Sequence, residues 1–486
     1  MNDARSASDA TTGISGTTYD LIVVGGGTAG MTAAAIAGRK NANVLIIDAA
    51  DRLGGTLWLS TGQVSAAGTK LQKSRGINDT PEAHFEDIMR ISRGTADADI
   101  VKLAVDNAAP TFDWLCDSGF QPIEGHPVMG QGHEYYSERR YYWGKDNGVT
   151  IYETLNKMLS PEIARGVVKV LYNTRAQSLI QHSDGRVTGV VARDASGQTH
   201  RYHGKAVLLT TGGYASNGEM FKKFTGRTQH GRMAYHASQG DGLTMAQAAG
   251  AGLQGQDKYI SGLGAIMVDD DVPSTAIGRF CHWPEQRQPW EVYVNANAER
   301  WIAEDNPSVD AREHELLKQP ELRWWIILDD AILRESPVPI TGWDRERYLA
   351  AFDVQNLFYK ADTIEALAKA TGLDPKALAA TIADYNAGQK SGKDKMGRKH
   401  MPKPIAKAPF YAIRHQGFSV SSTVGVTINT NLQVTRQDGS VIPGLYAAGE
   451  VIGSGLLMGK SFCGGMLVMP AITFGKMIGE RVRQLA

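Results

Sequence analysis

A glycine-rich turn between two apolar segments constrains this chain more than any other feature of its sequence. The apolar run at 21–24 leads directly into Gly25, Gly27 and Gly30, spaced G-x-G-x-x-G, and an alanine-rich stretch at 31–39 follows. This order predicts the strand, turn and helix of a βαβ unit. Glycines at these positions let the backbone approach a pyrophosphate, whose charge the helix N-terminus stabilises. The turn therefore predicts a dinucleotide site in a Rossmann-like α/β fold.

The segment after this helix adds two signs of the same site. A second apolar run at 44–47 ends in Asp48. An acid about 20 residues beyond such a glycine turn accepts hydrogen bonds from ribose hydroxyls. Segments rich in glycine and hydroxyl side chains follow at 52–56 and 60–62, and we expect them to contact the cofactor beyond its first phosphate. A glycine turn that binds nothing is the weaker interpretation.

Composition and charge exclude several classes of function. With 486 residues the chain is too long for one compact core, so two or three domains are expected. The 51 Lys and Arg residues balance the 51 Asp and Glu residues, and no net field favours nucleic acid or an anionic membrane. Cys116, Cys281 and Cys463 are widely spaced, which predicts neither a disulfide framework nor a metal site.

The start of the sequence and its apolar runs bear on location. No apolar run approaches the ~18 residues of a membrane span. The polar first residues lack the apolar core of a secretion signal. We therefore expect no membrane span, a disordered tail at 1–18 and a cytoplasmic location.

Patterning along the chain predicts a split domain with an insert. Residues 167–209 alternate as strands joined by hairpin turns, whereas tryptophans cluster between helical stretches in 256–416. The last residues return to a strand, a glycine loop and a helix. We therefore predict a nucleotide-binding domain formed by 19–255 and 417–486, with an inserted α+β domain at 256–416.

An aromatic loop lies at 126–148. It contains four tyrosines and a tryptophan between glycines and basic residues. So much aromatic surface is unfavourable in water, which favours a loop that lines a pocket over a solvated one.

Four pieces of sequence occur in a fixed order along the chain. They are VVGGGTAG with Asp48, RLGGTLWLSTG, ASQGDGLTMAQAAGA, and IPGLYAAGEV with a terminal helix. Together they resemble the fumarate reductase/succinate dehydrogenase flavoprotein superfamily over residues 20–485. The resemblance implies FAD in a Rossmann-like domain, capped by the inserted domain, with substrate between them. Because 52–68 contain no His, which some members use to attach FAD covalently, we expect non-covalent FAD.

The resemblance also implies which residues hold FAD. The glycine turn would carry the pyrophosphate, Asp48 the adenosine ribose and Glu450 the ribityl or ribose hydroxyls. The amides of Gly464 and Gly465 would face the N1–C2=O edge of the flavin, where a helix N-terminus stabilises the charge of the reduced ring. The expected FAD-binding residues are Gly25, Gly27, Gly30, Asp48, Gly55, Thr56, Ser60, Thr61, Gly62, Gly213, Asp241, Glu450, Gly464 and Gly465.

Fumarate reductases of this superfamily bind two substrate carboxylates through His and Arg side chains. The resemblance places Ser421 and Ser422 at the His positions, and Phe462, or Lys460 in a shifted register, at the Arg position. Serine supplies no charge for a dicarboxylate. We therefore rank fumarate reduction low.

The terminal segment MPAITFGK is instead similar to the ketone desaturase branch, which includes 3-ketosteroid Δ1-dehydrogenases and cyclohexanone dehydrogenases. In that branch a tyrosine takes an α-proton, hydride leaves Cβ for the flavin, and a backbone amide with a tyrosine stabilises the enolate. Gly465 lies at the place of the amide donor. Ser461 and Ser308 stand where two of the branch's tyrosines belong, which argues against a steroid substrate.

The aromatic loop would supply the remaining tyrosine. Tyr136 and Tyr142 are both candidates for the base, and the choice between them stays open. We expect the nearby Arg139, Arg140 and Lys145 to lower the tyrosine pKa from its usual value of ~10. Packing against flavin or substrate is the alternative role for each tyrosine.

Other residues complete the expected site. Tyr135, Tyr141 and Trp114 would wall the substrate pocket, with core packing as the alternative for Trp114. Arg312 would relay a proton or anchor a substrate carboxylate, although an ion pair with a neighbouring glutamate on a surface helix is the interpretation that we favour.

These observations predict an FAD-dependent dehydrogenase that introduces a C=C bond beside the ketone of a small cyclic substrate such as a cyclohexanone. The electron acceptor is left open between oxygen and a quinone-like compound. One alternative is an ene-reductase of the fumarate or urocanate reductase kind, running in the opposite direction. The second alternative is a flavoprotein subunit without turnover.

Overall fold

The computed structural model describes residues 14–281, 283 and 286–485. The first strand already begins at Ile14, so the predicted disordered tail is wrong for residues 14–18. Thr18 is paired with His203 of a neighbouring strand, which holds this part of the backbone in place. Residues 1–13 of the predicted tail lie outside the described residues.

The strands of the described chain are numbered in chain order. They are β1 (Ile14–Val24), β2 (Val44–Ile47), β3 (Val64–Ser65), β4 (Tyr141–Tyr142), β5 (Val168–Leu171), β6 (Arg175–Gln181), β7 (Val187–Arg193), β8 (Thr199–Leu209), β9 (Leu253–Gln254), β10 (Gly262–Met267), β11 (Ala276–Arg279), β12 (Val292–Asn295), β13 (Arg323–Asp329), β14 (Phe358–Ala361), β15 (Phe410–Phe418), β16 (Gly425–Val426), β17 (Gln433–Thr435) and β18 (Val441–Ala447).

The α-helices are numbered in the same way. They are α1 (Thr28–Arg39), α2 (Lys70–Ser74), α3 (Pro81–Ile91), α4 (Ala98–Asp106), α5 (Ala108–Asp117), α6 (Gly148–Ala164), α7 (Gly218–Thr225), α8 (Asp241–Ala248), α9 (Val309–Leu316), α10 (Asp330–Glu335), α11 (Arg345–Val354), α12 (Ile364–Thr371), α13 (Pro375–Ser391), α14 (Ser454–Met458) and α15 (Val468–Glu480).

Parallel strands form the centre of the first sheet. The strand order is β17-β18-β8-β1-β2-β5, and β1 runs parallel to both β2 and β8. The apolar run of β2 is buried at every position, as expected for a central strand covered on both faces. The hairpin of β6 and β7 joins β8 as an antiparallel extension, in agreement with the hairpins predicted for 167–209. Because β18 pairs with β8, strands from both ends of the chain share one sheet.

Helix α15 packs closely on α1 because glycines face the contact. A Cβ at Gly475 would lie 2.4 Å from the carbonyl oxygen of Ala29, and one at Gly479 would lie 2.7 Å from that of Ala33. Real Cβ atoms do not approach backbone oxygens so closely, so larger side chains would push the helices apart. The terminal helix is thereby fixed against the helix that begins at the glycine turn.

The second sheet is antiparallel and has its own core. Its strand order is β11-β10-β15-β13-β12, with β14 also paired to β15. Trp324, Tyr293 and Tyr348 are buried in this core. A split, parallel α/β unit with an intervening α+β unit confirms the predicted fold class. None of the helices in the described part of the chain has both the length and the hydropathy of a membrane span.

Candidate active site

A cavity of about 610 Å³ opens where the parallel strands of the first sheet end. Val24, Ile47 and Thr210, at or just beyond the ends of β1, β2 and β8, line it. Gly449, which follows β18, lines it as well. Ligands of open α/β sheets bind at this edge, where the carboxyl ends of neighbouring strands meet. The strand order therefore places the cavity where the sequence predicted a dinucleotide.

The glycine turn leaves space on its cavity side. Gly25 has φ +101°, and a Cβ there would lie 2.5 Å from the Thr210 carbonyl oxygen. A Cβ at Gly30 would lie 2.2 Å from the Gly25 carbonyl oxygen, so this glycine is needed for the turn itself. At Gly27, the residue before α1, the nearest protein atom to a Cβ is the Thr210 oxygen at 3.9 Å. Gly27 thus borders open space at a helix N-terminus, which fits the pyrophosphate of FAD.

Two partly buried acids line the same cavity. Asp48 accepts hydrogen bonds from the Gly26 amide at 2.6 Å and the Ala50 amide at 2.8 Å. Glu450 accepts one from the Ser422 amide through Oε1 at 2.8 Å. Burial raises the pKa of each carboxyl above its usual value. These backbone contacts hold both side chains at the cavity wall, where they can accept hydrogen bonds from ligand hydroxyls.

The structure divides the predicted FAD-binding residues into two groups. Those that line the cavity are Gly25, Gly27, Asp48, Gly55, Thr56, Ser60, Thr61, Asp241, Glu450 and Gly465. Gly30, Gly62, Gly213 and Gly464 lie behind the lining and shape the backbone. A Cβ at Gly213, for example, would lie 2.0 Å from the Ser422 hydroxyl oxygen, and one at Gly62 would lie 2.6 Å from the Gly148 amide nitrogen.

The two tyrosines predicted as bases lie outside the lining of the cavity. The Tyr136 hydroxyl donates a hydrogen bond to the Gly464 carbonyl, and the Tyr142 hydroxyl lies 2.9 Å from that of Thr69. Burial raises the pKa of both tyrosines well above the usual range. The expectation that Arg139, Arg140 and Lys145 would lower these pKa values is therefore wrong.

Arg140 instead forms ion pairs that hold the loop in place. Its guanidinium is buried and forms ion pairs with Asp79 at 2.8 Å and Asp87 at 2.7 Å. The Arg140 guanidinium lies 5.4 Å from the centre of the Tyr136 ring and acts to lower the pKa of that tyrosine, but burial outweighs it. Arg139 lies at the surface beside Glu138, 3.6 Å away. Arg140 thus holds the aromatic loop against the protein, and Tyr136, Tyr141 and Tyr142 pack as part of the core.

The remaining predicted site residues also lie outside the lining. Tyr141 is buried against Gly464, and its pKa is raised by burial. Trp114 packs on the core of the first sheet. The Tyr135 ring packs on Gly130, whose Cβ would lie 2.4 Å from Tyr135 Cδ1.

Ser461 and Arg312 belong to the support of the site. The Ser461 hydroxyl lies 3.0 Å from His314 Nε2. Arg312 is 2% exposed, so its expected place on a surface helix is wrong. Ser308, another position compared with the ketone desaturases, hydrogen bonds to Glu134 at 2.8 Å and caps α9. These contacts join the aromatic loop to α9.

Aromatic side chains form much of the other half of the cavity. The lining there includes Trp143, Phe280, Trp283, Phe418 and Phe462. Trp283 Nε1 lies 2.7 Å from the place of a Cβ on Gly132, so the aromatic loop and the second sheet's loops meet at this wall. The sequence singled out the loop but not the side chains that face inward.

His133 and Glu313 form an acid–base pair in the lining that the sequence reasoning missed. The His133 ring stacks on Phe462 at 3.8 Å between centroids, and its Nδ1 lies 3.5 Å from Glu313 Oε1. Burial raises the pKa of the Glu313 carboxyl above its usual value, while His133 acts in the opposite direction. An imidazole that a neighbouring carboxyl holds in place can act as a general acid or base. The sequence indicates this pair only through a single His inside the aromatic loop, beside four tyrosines that are equally plausible bases.

Comparison with known proteins agrees with this architecture. A family model described as FAD binding domain matches residues 20–467. The chain is 30% identical over 471 residues to a probable fumarate reductase, Ifc3, of Shewanella frigidimarina (strain NCIMB 400), covering 96% of this chain and 75% of that protein. The open conformation of a flavocytochrome c3 fumarate reductase has a TM-score of 0.74 at 29% identity, covering 97% of this chain and 79% of that one.

A second solved structure is equally similar in fold. The 3-ketosteroid delta1-dehydrogenase from Sterolibacterium denitrificans, in complex with 1,4-androstadiene-3,17-dione, has a TM-score of 0.74 at 21% identity, covering 96% of this chain and 99% of that one. At this identity the likeness concerns the fold alone.

Proposed function

Because the chain belongs to the FAD binding domain family, within the fumarate reductase/succinate dehydrogenase flavoprotein superfamily, and is an FAD-dependent oxidoreductase acting on carbon–carbon bonds, we propose that it desaturates a small cyclic ketone. The bond oxidised is the Cα–Cβ bond next to the carbonyl group of a compound such as a cyclohexanone. Non-covalent attachment of FAD and a cytoplasmic location are parts of the same proposal.

The observation that carries this proposal is the aromatic half of the cavity. Phe462 and Ser421 line it at the two places where the family resemblance puts the Arg and His of a dicarboxylate site. An apolar wall of aromatic rings suits a carbocyclic ring, whereas a dicarboxylate needs charged partners. The wall therefore favours a substrate whose reacting group is uncharged, and it disfavours fumarate.

The chain's own residues have separate tasks in this reaction. Gly25 and Gly27 hold the pyrophosphate, and Asp48 and Glu450 accept hydrogen bonds from ligand hydroxyls at the cavity wall. When bound, FAD supplies an acceptor for the hydride that leaves Cβ. Gly465, just before α15, lines the cavity and offers its amide to the oxygen of the ketone, where negative charge develops.

His133 takes the α-proton in place of the tyrosine expected from the sequence. Its neutral imidazole is the base, and the Glu313 carboxyl beside Nδ1 orients the ring and stabilises the protonated form. Phe462 holds the plane of the ring by stacking. Proton removal is feasible only if the ketone oxygen is stabilised at the same time, which the Gly465 amide provides.

Anaerobic mixing of the purified holoenzyme with a panel of compounds tests the proposal. Cyclohexanones are expected to bleach the visible absorbance of the flavin, whereas saturated dicarboxylates such as succinate leave it unchanged. Oxygen and a quinone-like dye are then compared as acceptors for the reduced enzyme. Bleaching by succinate, with none by any cyclic ketone, would contradict the proposal.

Reduction of an activated alkene is the second candidate function. The 30% identity to a probable fumarate reductase favours it. Dithionite-reduced enzyme is mixed with fumarate, urocanate and cyclohexenone, and reoxidation of the flavin is followed. Rapid reoxidation by fumarate or urocanate supports this candidate, and reoxidation by cyclohexenone alone returns the assignment to ring ketones.

A further inference from the structure

Arg279 lines the aromatic half of the cavity. It ends β11 and lies opposite Ala265 of β10 in the second sheet. Leu263 and Gly264 of β10 and the adjacent Phe280 share the lining with it. Among the lining residues that the structure describes, Arg279 is the only Lys or Arg.

The Arg279 guanidinium has no hydrogen bond or ion pair with any residue of the described chain. Other arginines of the same sheet and its loops are paired. Arg287 is 2.5 Å from Glu291, Arg300 is 2.6 Å from Glu304, and Arg414 contacts Asp270. Arg279 is therefore a cation without a counter-charge among the residues that the structure describes.

The Arg279 side chain is exposed on the cavity side of the second sheet. Water in the open cavity still reaches the side chain, but the surrounding protein desolvates the guanidinium and lowers its pKa. A partly desolvated charge is normally paired, because the loss of hydration is otherwise uncompensated. An anion that enters the cavity from solution can therefore reach the guanidinium and supply its counter-charge.

We propose that Arg279 binds a carboxylate on the substrate, so that the compound desaturated is a cyclic keto acid. A guanidinium forms two parallel hydrogen bonds with a carboxylate, which fixes orientation as well as affinity. This inference rests on the proposed function and specifies its substrate class. It gives Arg279 the anchoring role that the sequence had offered to Arg312, which is buried outside the lining.

The position of Arg279 connects the anchor to the site of proton transfer. Trp283, in the loop after β11, contacts Gly132, the neighbour of His133. Phe280 and Trp283 both line the cavity. A ring that packs on these aromatic side chains would present its carboxylate to Arg279 and its reacting carbon to the other wall.

Equilibrium binding to the holoenzyme tests the anchor without turnover. The probes are cyclohexanecarboxylate and its neutral analogue cyclohexanecarboxamide, titrated by flavin difference spectra and by calorimetry. We expect the carboxylate to bind more tightly, and Arg279→Gln to weaken it about 10- to 100-fold while the amide is unaffected. Arg279→Lys should lie between, because a point charge lacks the guanidinium's fork.

The matched control is Arg347→Gln, which removes an exposed guanidinium that lies over Trp343 away from the cavity. Arg347→Gln should change the affinity for neither the carboxylate nor the amide. Equal affinity of the wild-type protein for carboxylate and amide would overturn the proposal, as would unchanged carboxylate binding in Arg279→Gln. A loss of FAD affinity in Arg279→Gln would assign the guanidinium to the cofactor and also overturn it.

Turnover separates this inference from the function on which it rests. Cyclohexanones with a carboxylate at ring position 3 or 4 are compared with plain cyclohexanone in the anaerobic bleaching assay. Faster bleaching by a keto acid, lost in Arg279→Gln, supports both proposals. Arg279-dependent binding of the carboxylates without any bleaching supports the anchor and overturns ketone desaturation. Bleaching at equal rates by all three ketones supports desaturation and overturns the anchor.

Discussion

His133 carries the proton in the proposed reaction, and its replacement gives the sharpest test at the scale of single residues. Because the ring lines the cavity beside Glu313, His133→Ala should slow flavin reduction by about 10²- to 10⁴-fold, the usual contribution of a general base. Stopped-flow absorbance measures the rate, and FAD content should stay unchanged. The pH dependence of the rate is measured for both proteins, and a limb that arises from protonation of the base should be absent in the variant.

The matched control for this prediction is His182→Ala, which removes an imidazole at the surface whose side chain is 66% exposed. It should leave both the rate and its pH profile unchanged. An acidic limb that persists in His133→Ala would assign the base to another group.

Glu313 links this pair to stability. Burial raises its pKa in the folded protein, so the folded state binds the proton more tightly than the unfolded chain does. Its contribution to the free energy of unfolding is then complete below the ordinary carboxyl pKa and is lost as pH rises through the raised value. As pH rises above the ordinary carboxyl pKa of ~4.3, Glu313→Gln should therefore lose less thermal stability than the wild-type protein. Glu315→Gln, on the same helix but partly exposed, is the control and should follow the wild-type curve.

At the scale of elements, two glycines at the start of α1 have different tasks: Gly27 leaves space for the cofactor, and Gly30 permits the turn itself. Ala at position 27 meets no protein atom nearer than 3.9 Å, but its methyl group occupies the space beside the helix N-terminus. We expect Gly27→Ala to weaken FAD binding by at least about 10-fold, without lowering the melting temperature of the apoprotein. Gly30→Ala should instead lower the melting temperature of the apoprotein, because its Cβ would lie 2.2 Å from the Gly25 oxygen and disturb the turn. Equal FAD affinity in Gly27→Ala and the wild-type protein would contradict the proposed cradle.

The elements also show how far sequence alone could reach. The βαβ unit was predictable because the apolar runs, the glycine spacing and Asp48 are all local signals. The side chains of the aromatic loop were not, because the loop has no periodicity that tells inward from outward. Its orientation depends on Arg140 binding Asp79 and Asp87 from a distant helix and its preceding turn. No pattern in the sequence indicated a role for Arg279, because the packing of the second sheet determines that its side chain faces the cavity.

At the scale of the whole molecule, the site depends on segments that are far apart in sequence. Strands β1 and β18 come from opposite ends of the chain, yet both flank β8, and the residues that follow them line one cavity. Helix α15 rests on α1 through the glycine contacts described above. Binding of FAD should therefore stabilise both ends of the chain together.

Hydrogen exchange measured by mass spectrometry can check this coupling. Adding FAD to the apoprotein should slow amide exchange in peptides that cover 24–30 and in those that cover 449–468, because both segments border the cavity. Peptides from α13, a helix that lies outside the cavity lining, should exchange at the same rate with and without FAD. Slower exchange confined to 24–30 would mean that the terminal segment does not hold the cofactor, and the role given to Glu450 would then fail. Slower exchange in both segments would show that the two ends of the chain form one binding site.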